Sequence, residues 1–243
     1  MISRLLRENK SRKLLFILKF YRKFVNNLTL KEYLVDRKNI KNIIFKSEVT
    51  EKDLTWRERW NKGKPSLFPS FWKNHFSIPI IINSNVLKGL VLDFGCGSGH
   101  LSIELAKRGL NIYGIDHSVV GIKIANYYRA QVNKKIRAKL NFKCIEIQNF
   151  KPNLKFDSCL ISHVLEHLEI QQARLIVKEI KRLVKIDAEI FTTLPYADNF
   201  KDPDHCNIFY TLNEFNGFMS NIGLKVKKSY IEDKVINSIA TCY

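Results

Sequence analysis

The residues of this sequence best suited to chemistry are three histidines, a set of carboxylates and a glycine-rich turn. His163, Glu166 and His167 follow the apolar run Phe156–Ser162, and His205 sits in the segment Asp202-Pro203-Asp204-His205. Imidazole titrates near neutral pH, so each histidine can take a proton from a hydroxyl. His205, with acids beside it, is the first candidate for a general base, and His163 and His167 are the others; Asp204 and His205 can equally brace their loop. The pattern His163-x-x-Glu166-His167 also matches an inverted zinc-protease motif. Ligands at i and i+4 need one continuous helix, whereas His163 falls at the mouth of a strand, and no third ligand is evident in the sequence. No metal is expected there on that reading. The turn is Asp93-Phe94-Gly95-Cys96-Gly97-Ser98-Gly99-His100, where glycines let the chain take positive φ and let a ligand approach bare backbone. About twenty residues on, Asp116 is spaced to accept hydrogen bonds from the hydroxyls of a ribose, or to cap the helix after it.

Such a turn can hold a dinucleotide, a phosphate or S-adenosylmethionine. The dinucleotide spacing G-x-G-x-x-G fails, because His100 stands where the last glycine belongs, and the Gly-Lys-Ser or Gly-Lys-Thr of a phosphate loop is absent. The remaining pattern, Asp93-x-Gly95-x-Gly97-x-Gly99, resembles motif I of the class I S-adenosylmethionine-dependent methyltransferases. That resemblance implies an α/β fold, a Rossmann-like sheet with helices on both faces, and S-adenosylmethionine as cofactor. It further implies cofactor contacts from Asp93, Gly95, Cys96, Gly97, Gly99, Asp116, His117 and Ser162, with Glu146 or Gln148 meeting the adenine amino group. The segment from Phe156-Asp157 to Leu165-Glu166-His167 is similar to one in small-molecule methyltransferases, many of which use the last two residues to support the loop. Asp202 to His205 resembles a loop of glycan and natural-product tailoring methyltransferases. A small-molecule acceptor with a hydroxyl oxygen, such as a sugar in surface-glycan synthesis, is the expectation.

Two other segments touch on the acceptor. Trp56-x-x-x-Trp60-x-x-Gly63 is similar to the N-terminal part of thiopurine and thiol methyltransferases, and the resemblance stops there. At i and i+4 on a helix these rings share a face, as a pocket wall or as an anchor for the helix. Leu194-Pro195-Tyr196 follows the fifth expected strand, whereas the N-P-P-Y loop of adenine and glutamine N-methyltransferases follows the fourth. That argues against methylation of a base or amide nitrogen.

The elements that must position these groups are legible from periodicity. Leu90–Leu92 forms a buried strand running into the turn, and Leu101–Arg108 a helix aiming its amides and positive dipole end back at it. Strands are expected at Asn111–Asp116, Leu140–Ile147, Phe156–Ser162, Ala188–Leu194 and Gly223–Tyr230, and helices over Ser118–Lys135, Ile170–Leu183 and Leu212–Ile222. The class I sheet calls for a seventh, antiparallel strand, which Lys234–Tyr243 barely provides.

The 243 residues carry a formal charge of +18. Residues 1–90 hold 20 Lys and Arg against 7 Asp and Glu, whereas residues 91–243 hold 21 against 16, so the excess sits before the glycine turn. A basic helical extension over residues 1–50 and a methyltransferase domain over 51–243 are expected. Met1–Leu28 reads as a basic amphipathic helix that can lie on an anionic membrane surface or pack on the domain with its cationic face in water. A basic footprint also suits RNA, which makes an RNA methyltransferase the alternative; a non-catalytic binding module with the same fold is another. Five cysteines without a C-x-x-C pair suggest reduced thiols in a cytoplasmic chain, or one peripheral to the inner face of a membrane. No run of 18 apolar residues reads as a span.

Overall fold

The computed structural model describes residues 30–47, 54–61, 77–197 and 205–242. The basic Met1–Leu28 segment and residues Asp198–Asp204 lie outside them. Helices α1 (Leu30–Lys46), α2 (Leu54–Asn61) and α3 (Ser77–Asn83) precede strand β1 (Leu90–Phe94). Then follow α4 (His100–Lys107), β2 (Asn111–Asp116), α5 (Val119–Gln131), α6 (Lys134–Arg137), β3 (Leu140–Cys144), β4 (Phe156–Ser162), α7 (Ile170–Leu183), β5 (Val184–Pro195), α8 (Leu212–Asn221), β6 (Leu224–Glu232) and β7 (Val235–Cys242).

The seven strands form one sheet in the order β3-β2-β1-β4-β5-β7-β6. Strands β1 to β5 are parallel, and β7 runs antiparallel between β5 and β6. Successive strand side chains point to opposite faces. Val91, Ile112, Leu160 and Phe191 therefore pack on one face with Ile40 and Ile44 of α1 and Leu105 of α4. Leu92, Ile115, Ile161 and Ile190 pack on the other with Phe150, Ile180 of α7 and Phe215 of α8. Helices cover both faces, as the Rossmann-like reading expects. Helix α7 buries Ala173, Val177, Ile180 and Leu183 along one stripe, and α8 starts at a capping box in which Thr211 and Glu214 exchange hydrogen bonds.

Three expectations differ from the structure. Strand β3 stops at Cys144 rather than Ile147, because the Ile145 amide turns to donate to the Asp116 carbonyl at 2.9 Å and residues Ile147–Asn149 close a tight helical turn. The seventh strand is complete. Asp233 and Lys234 take φ of +49° and +68°, a two-residue turn between β6 and β7 whose twist suits a hairpin. The hairpin inserts β7 beside β5, with Val235, Ile236 and Ala240 buried. Strand β5 also begins earlier than its apolar run, since Val184 leaves α7 directly and pairs with Phe156 before the register shifts.

Asp157, quoted in the segment that leads to Glu166, lies at the opposite end of β4 from the chemistry. Its Oδ2 accepts from the Leu90 amide at 2.7 Å and its Oδ1 faces Lys185, so it pins the start of β1. Both contacts hold its carboxyl below the usual value. Helix α1 meets α5 through Tyr127, whose hydroxyl donates to Asp36 at 2.8 Å and accepts from Asn39 at 2.9 Å.

Candidate active site

Strands β1, β2 and β4 end side by side at one edge of the sheet, where parallel α/β folds keep their chemistry. The turn after β1 is held by its own backbone. Gly95 and Cys96 both donate to the Ile115 carbonyl, at 2.9 and 3.1 Å, and Gly99 donates to the Cys96 carbonyl at 2.9 Å. Gly95 has φ +73°, and a Cβ there would lie 2.5 Å from Val164 Cγ2. The glycine turn and the loop after β4 are thus in direct contact, one residue from His163. Gly97, at φ +50°, leaves its Cβ direction clear except for the Trp56 ring 3.9 Å away, so a ligand can reach the backbone there.

Asp116 is held by two backbone amides. Its Oδ2 accepts from the Gly97 amide and its Oδ1 from the Ser118 amide, both at 2.8 Å. The cap of α5 is Ser118, whose hydroxyl accepts from Gly121 at 2.8 Å. One carboxylate therefore ties the glycine turn to the start of the next helix, and each oxygen keeps a lone pair for a hydroxyl donor. Asp93 is 2% exposed, below the turn, and accepts from the Ser102 hydroxyl of α4. Burial pushes its carboxyl up to about 7, against the pull of Ser102 and with a further push from the charge of Asp116. Asp93 thus braces β1 against α4.

Cys96 packs its sulfur against Gly114, and burial, with Asp93 and Asp116 adding to it, pushes its thiol well up. Its backbone lines the turn. His117 is exposed, its carbonyl facing the Cys144 thiol at 3.5 Å. Glu146 is half-buried at the start of the tight turn after β3, and Gln148 is exposed in it. Ser162 closes β4 with a buried hydroxyl that has no hydrogen-bond partner among the described residues. His100 is buried against the Tyr128 ring, 4.8 Å between centroids. Trp56 is 7% exposed and lies where Gly97 and Gly121 meet, so α2 is anchored on the glycine turn itself. The Trp60 side chain lies outside the described residues.

The second half of the site grows from β4 and β5. His163 continues their ladder by donating its amide to the Thr193 carbonyl at 2.8 Å, yet its φ is +54°. A non-glycine residue in that region costs about 1 kcal/mol or more and marks a position fixed by its surroundings. Its Nδ1 stands 3.3 Å from Oε1 of Glu166, a carboxylate 1% exposed in the turn Leu165–His167. The His167 and His205 rings meet edge to face, 4.8 Å between centroids. His205 is held there by its neighbours. Cys206 and Asn207 donate their amides to the Glu166 carbonyl at 2.7 and 3.0 Å. Asn207 Nδ2 donates to the Leu165 and Leu168 carbonyls at 3.1 and 2.7 Å, and the Cys206 thiol to that of His167 at 3.6 Å. The structure thus gathers His163, His167 and His205 around Glu166. Asn207, which clamps one loop to the other, went unread; a lone asparagine after the expected general base is the only local signal.

Comparison with known proteins bears on the fold that carries these residues. Residues 92–190 match a family described as "Methyltransferase domain". A ubiquinone biosynthesis O-methyltransferase of Pelagibacter ubique is 31% identical over 101 residues, 42% of this chain, and the match spans 40% of that relative's length. The glycopeptide N-methyltransferase MtfA, solved with S-adenosyl-L-methionine, superimposes with TM-score 0.56 at 10% identity, over 68% of this chain and 91% of that one. A DhpI–SAH complex gives TM-score 0.59 at 12% identity, over 84% and 96%. Solved neighbours so distant establish the fold, and the family match covers the part of it from β1 to β5. Residues 92–190 are thus similar to a methyltransferase domain, and the sheet that continues them has the fold of a methyltransferase solved with S-adenosyl-L-methionine.

Proposed function

We propose that the chain transfers the methyl group of S-adenosylmethionine to a hydroxyl oxygen of a small-molecule acceptor. The contact that carries this reading is His163 Nδ1 at 3.3 Å from the buried Glu166 carboxylate, one residue from the point where the loop after β4 touches Gly95. A methyl group on a sulfonium is already activated, so the protein must hold an acceptor in line with it and receive one proton. A nitrogen acceptor can attack through its own lone pair, whereas a hydroxyl needs a base. Glu166 at Nδ1 orients the His163 ring, as a carboxylate does behind a catalytic imidazole. His167 and His205 line the same mouth.

On the cofactor side, Asp116 receives the ribose hydroxyls, the Gly95–Gly99 backbone faces the methionine part, and Glu146 or Gln148 meets the adenine. Cys96 contributes backbone, Asp93 holds the turn from below, and His117 and Ser162 flank the site. A sugar is the proposed acceptor class; the loop Asp202–His205 and the name of the Pelagibacter relative as an O-methyltransferase support oxygen as the accepting atom.

The test is calorimetric titration of the full chain with S-adenosylhomocysteine, repeated on Asp116→Ala. Micromolar binding abolished by the substitution is expected. A panel of phenol and sugar acceptors with radiolabelled S-adenosylmethionine follows, with His163→Ala losing transfer but retaining cofactor binding. A folded chain that binds no S-adenosylhomocysteine overturns the proposal.

A further inference from the structure

We propose that Glu166, His167 and His205 bind one divalent transition-metal cation, which receives the acceptor's hydroxyl as a further ligand; this rests on the methyltransferase reading above. One ligand atom from each of the three lies within 4.8 Å of the others. Donors around such a cation, at bond lengths of about 2.1 Å, stand roughly 3 to 3.5 Å apart. Side-chain rotations of about 1 Å close the set.

A second observation is independent of that spacing. Glu166 is 1% exposed, and neither of its carboxylate oxygens accepts a hydrogen bond among the described residues. Its partner there is the His163 imidazole, at 3.3 Å. A carboxylate taken out of water without hydrogen bonds is costly, by several kcal/mol in order of magnitude, unless a positive charge meets it. A cation shared with His167 and His205 supplies that charge and leaves His163 on the other side of the same group.

The scaffold is that of a ligand site rather than a chance meeting of side chains. Cys206 and Asn207, the two residues after His205, donate their amides to the Glu166 carbonyl, and the Asn207 side chain ties both ends of the turn that carries Glu166 and His167. Such outer contacts set the direction of metal ligands. The sequence argued against zinc because His163 and His167 do not share one continuous helix and no third ligand was evident. The fold brings His205, 38 positions beyond His167, into that place, and His163 stands outside the triad.

Two imidazoles and one carboxylate suit Zn²⁺, Mn²⁺, Fe²⁺ or Co²⁺ better than Mg²⁺ or Ca²⁺, which favour oxygen donors throughout. Three protein ligands leave a position open for the acceptor. Coordination lowers the pKa of the bound hydroxyl, and its proton passes to His163. The resulting alkoxide or phenolate oxygen forms a bond to the methyl carbon as the carbon–sulfur bond breaks, and the bonding pair stays on sulfur. The products are the methyl ether, S-adenosylhomocysteine and one proton, which His163 releases to water.

The experiment uses the full chain without a histidine tag, stripped with chelator and titrated calorimetrically with Zn²⁺ and with Mn²⁺. Visible absorption of added Co²⁺ reports the ligand field. One site per chain is expected. His205→Ala, a half-buried loop residue whose loss should leave the core intact, and the conservative Glu166→Gln are each expected to weaken binding at least tenfold. S-adenosylhomocysteine binding, measured on the same samples, shows that the variants are folded and should stay within twofold. A wild-type chain that binds no stoichiometric metal, or a His205→Ala chain that binds as tightly as wild type, overturns the metal site. Loss of S-adenosylhomocysteine binding by a metal-loaded wild-type chain instead strikes the methyltransferase reading alone.

Discussion

Asp93 is a buried acid with a single side-chain hydrogen bond, and Asp93→Asn turns that into a measurable slope. In the folded chain burial lifts its carboxyl from 3.8 to about 7. The folded state then binds the proton more tightly than the unfolded state. Between about pH 4 and pH 7 it carries more protons, so stability falls as pH rises; below that window both states are protonated and above it both are ionised. A shift of three units corresponds to about 4 kcal/mol in all, of which about 2.5 kcal/mol falls between pH 5 and pH 8. The asparagine oxygen can still accept from the Ser102 hydroxyl, but the side chain never ionises. Urea unfolding of the ligand-free chain at the two pH values reads the difference. The variant should gain stability over wild type by about 2.5 kcal/mol more at pH 8 than at pH 5, a relative midpoint shift of about 1 M for a slope near 2 kcal/mol per M. Wild type and variant tracking each other in parallel across this range would refute the reasoning, since the Asp93 charge would then cost nothing inside the fold.

The site and its supports make further predictions. Gly95→Ala places a methyl 2.5 Å from Val164 Cγ2 at φ +73°, so it should weaken S-adenosylhomocysteine binding at least tenfold by calorimetry. Adding Val164→Ala should recover only part, because the backbone strain remains. Trp56→Ala uncovers Gly97 and Gly121 and should raise the dissociation constant several-fold, with Trp56→Phe intermediate. Thr211→Ala removes the cap of α8, far from the glycine turn in sequence, and should cost about 1 kcal/mol in urea unfolding while leaving cofactor affinity unchanged. Asp157 acts in the opposite sense from Asp93. Its folded-state pKa is depressed, so its contribution is present above the unfolded value and is lost as pH falls through the folded one. Asp157→Asn should therefore be less stable than wild type at pH 7 and converge with it in acid, as measured by thermal unfolding.

What the sequence disclosed and what it withheld divide along physical lines. Strands β2 and β4 and helix α7 were legible to the residue, because each is an apolar pattern ended by a local signal: the acid after Ile115, the polar step at Ser162, the turn before Ile170. The glycine turn was legible because positive φ at close approach restricts residue choice within a few positions. The β6–β7 hairpin was not, since Asp233-Lys234 carries no glycine or asparagine to announce a turn with two positive φ values, and β7 buries Asn237 and Ser238 where the pattern reader expects apolar residues. The structural place of Asp116 was half legible. Its spacing from the turn marked it, but its grip on Gly97 and Ser118 depends on how β1 and β2 lie together. The histidine cluster is the extreme case. Glu166 to His205 spans α7, all of β5 and the junction after it, and no periodicity links them. They meet because parallel neighbours β4 and β5 end at the same edge and because Asn207 hydrogen-bonds the second loop to the first. Read locally, His205 is a base beside acids; read in the fold, it is the partner of His167 over a buried carboxylate, which is a different chemistry drawn from the same residue.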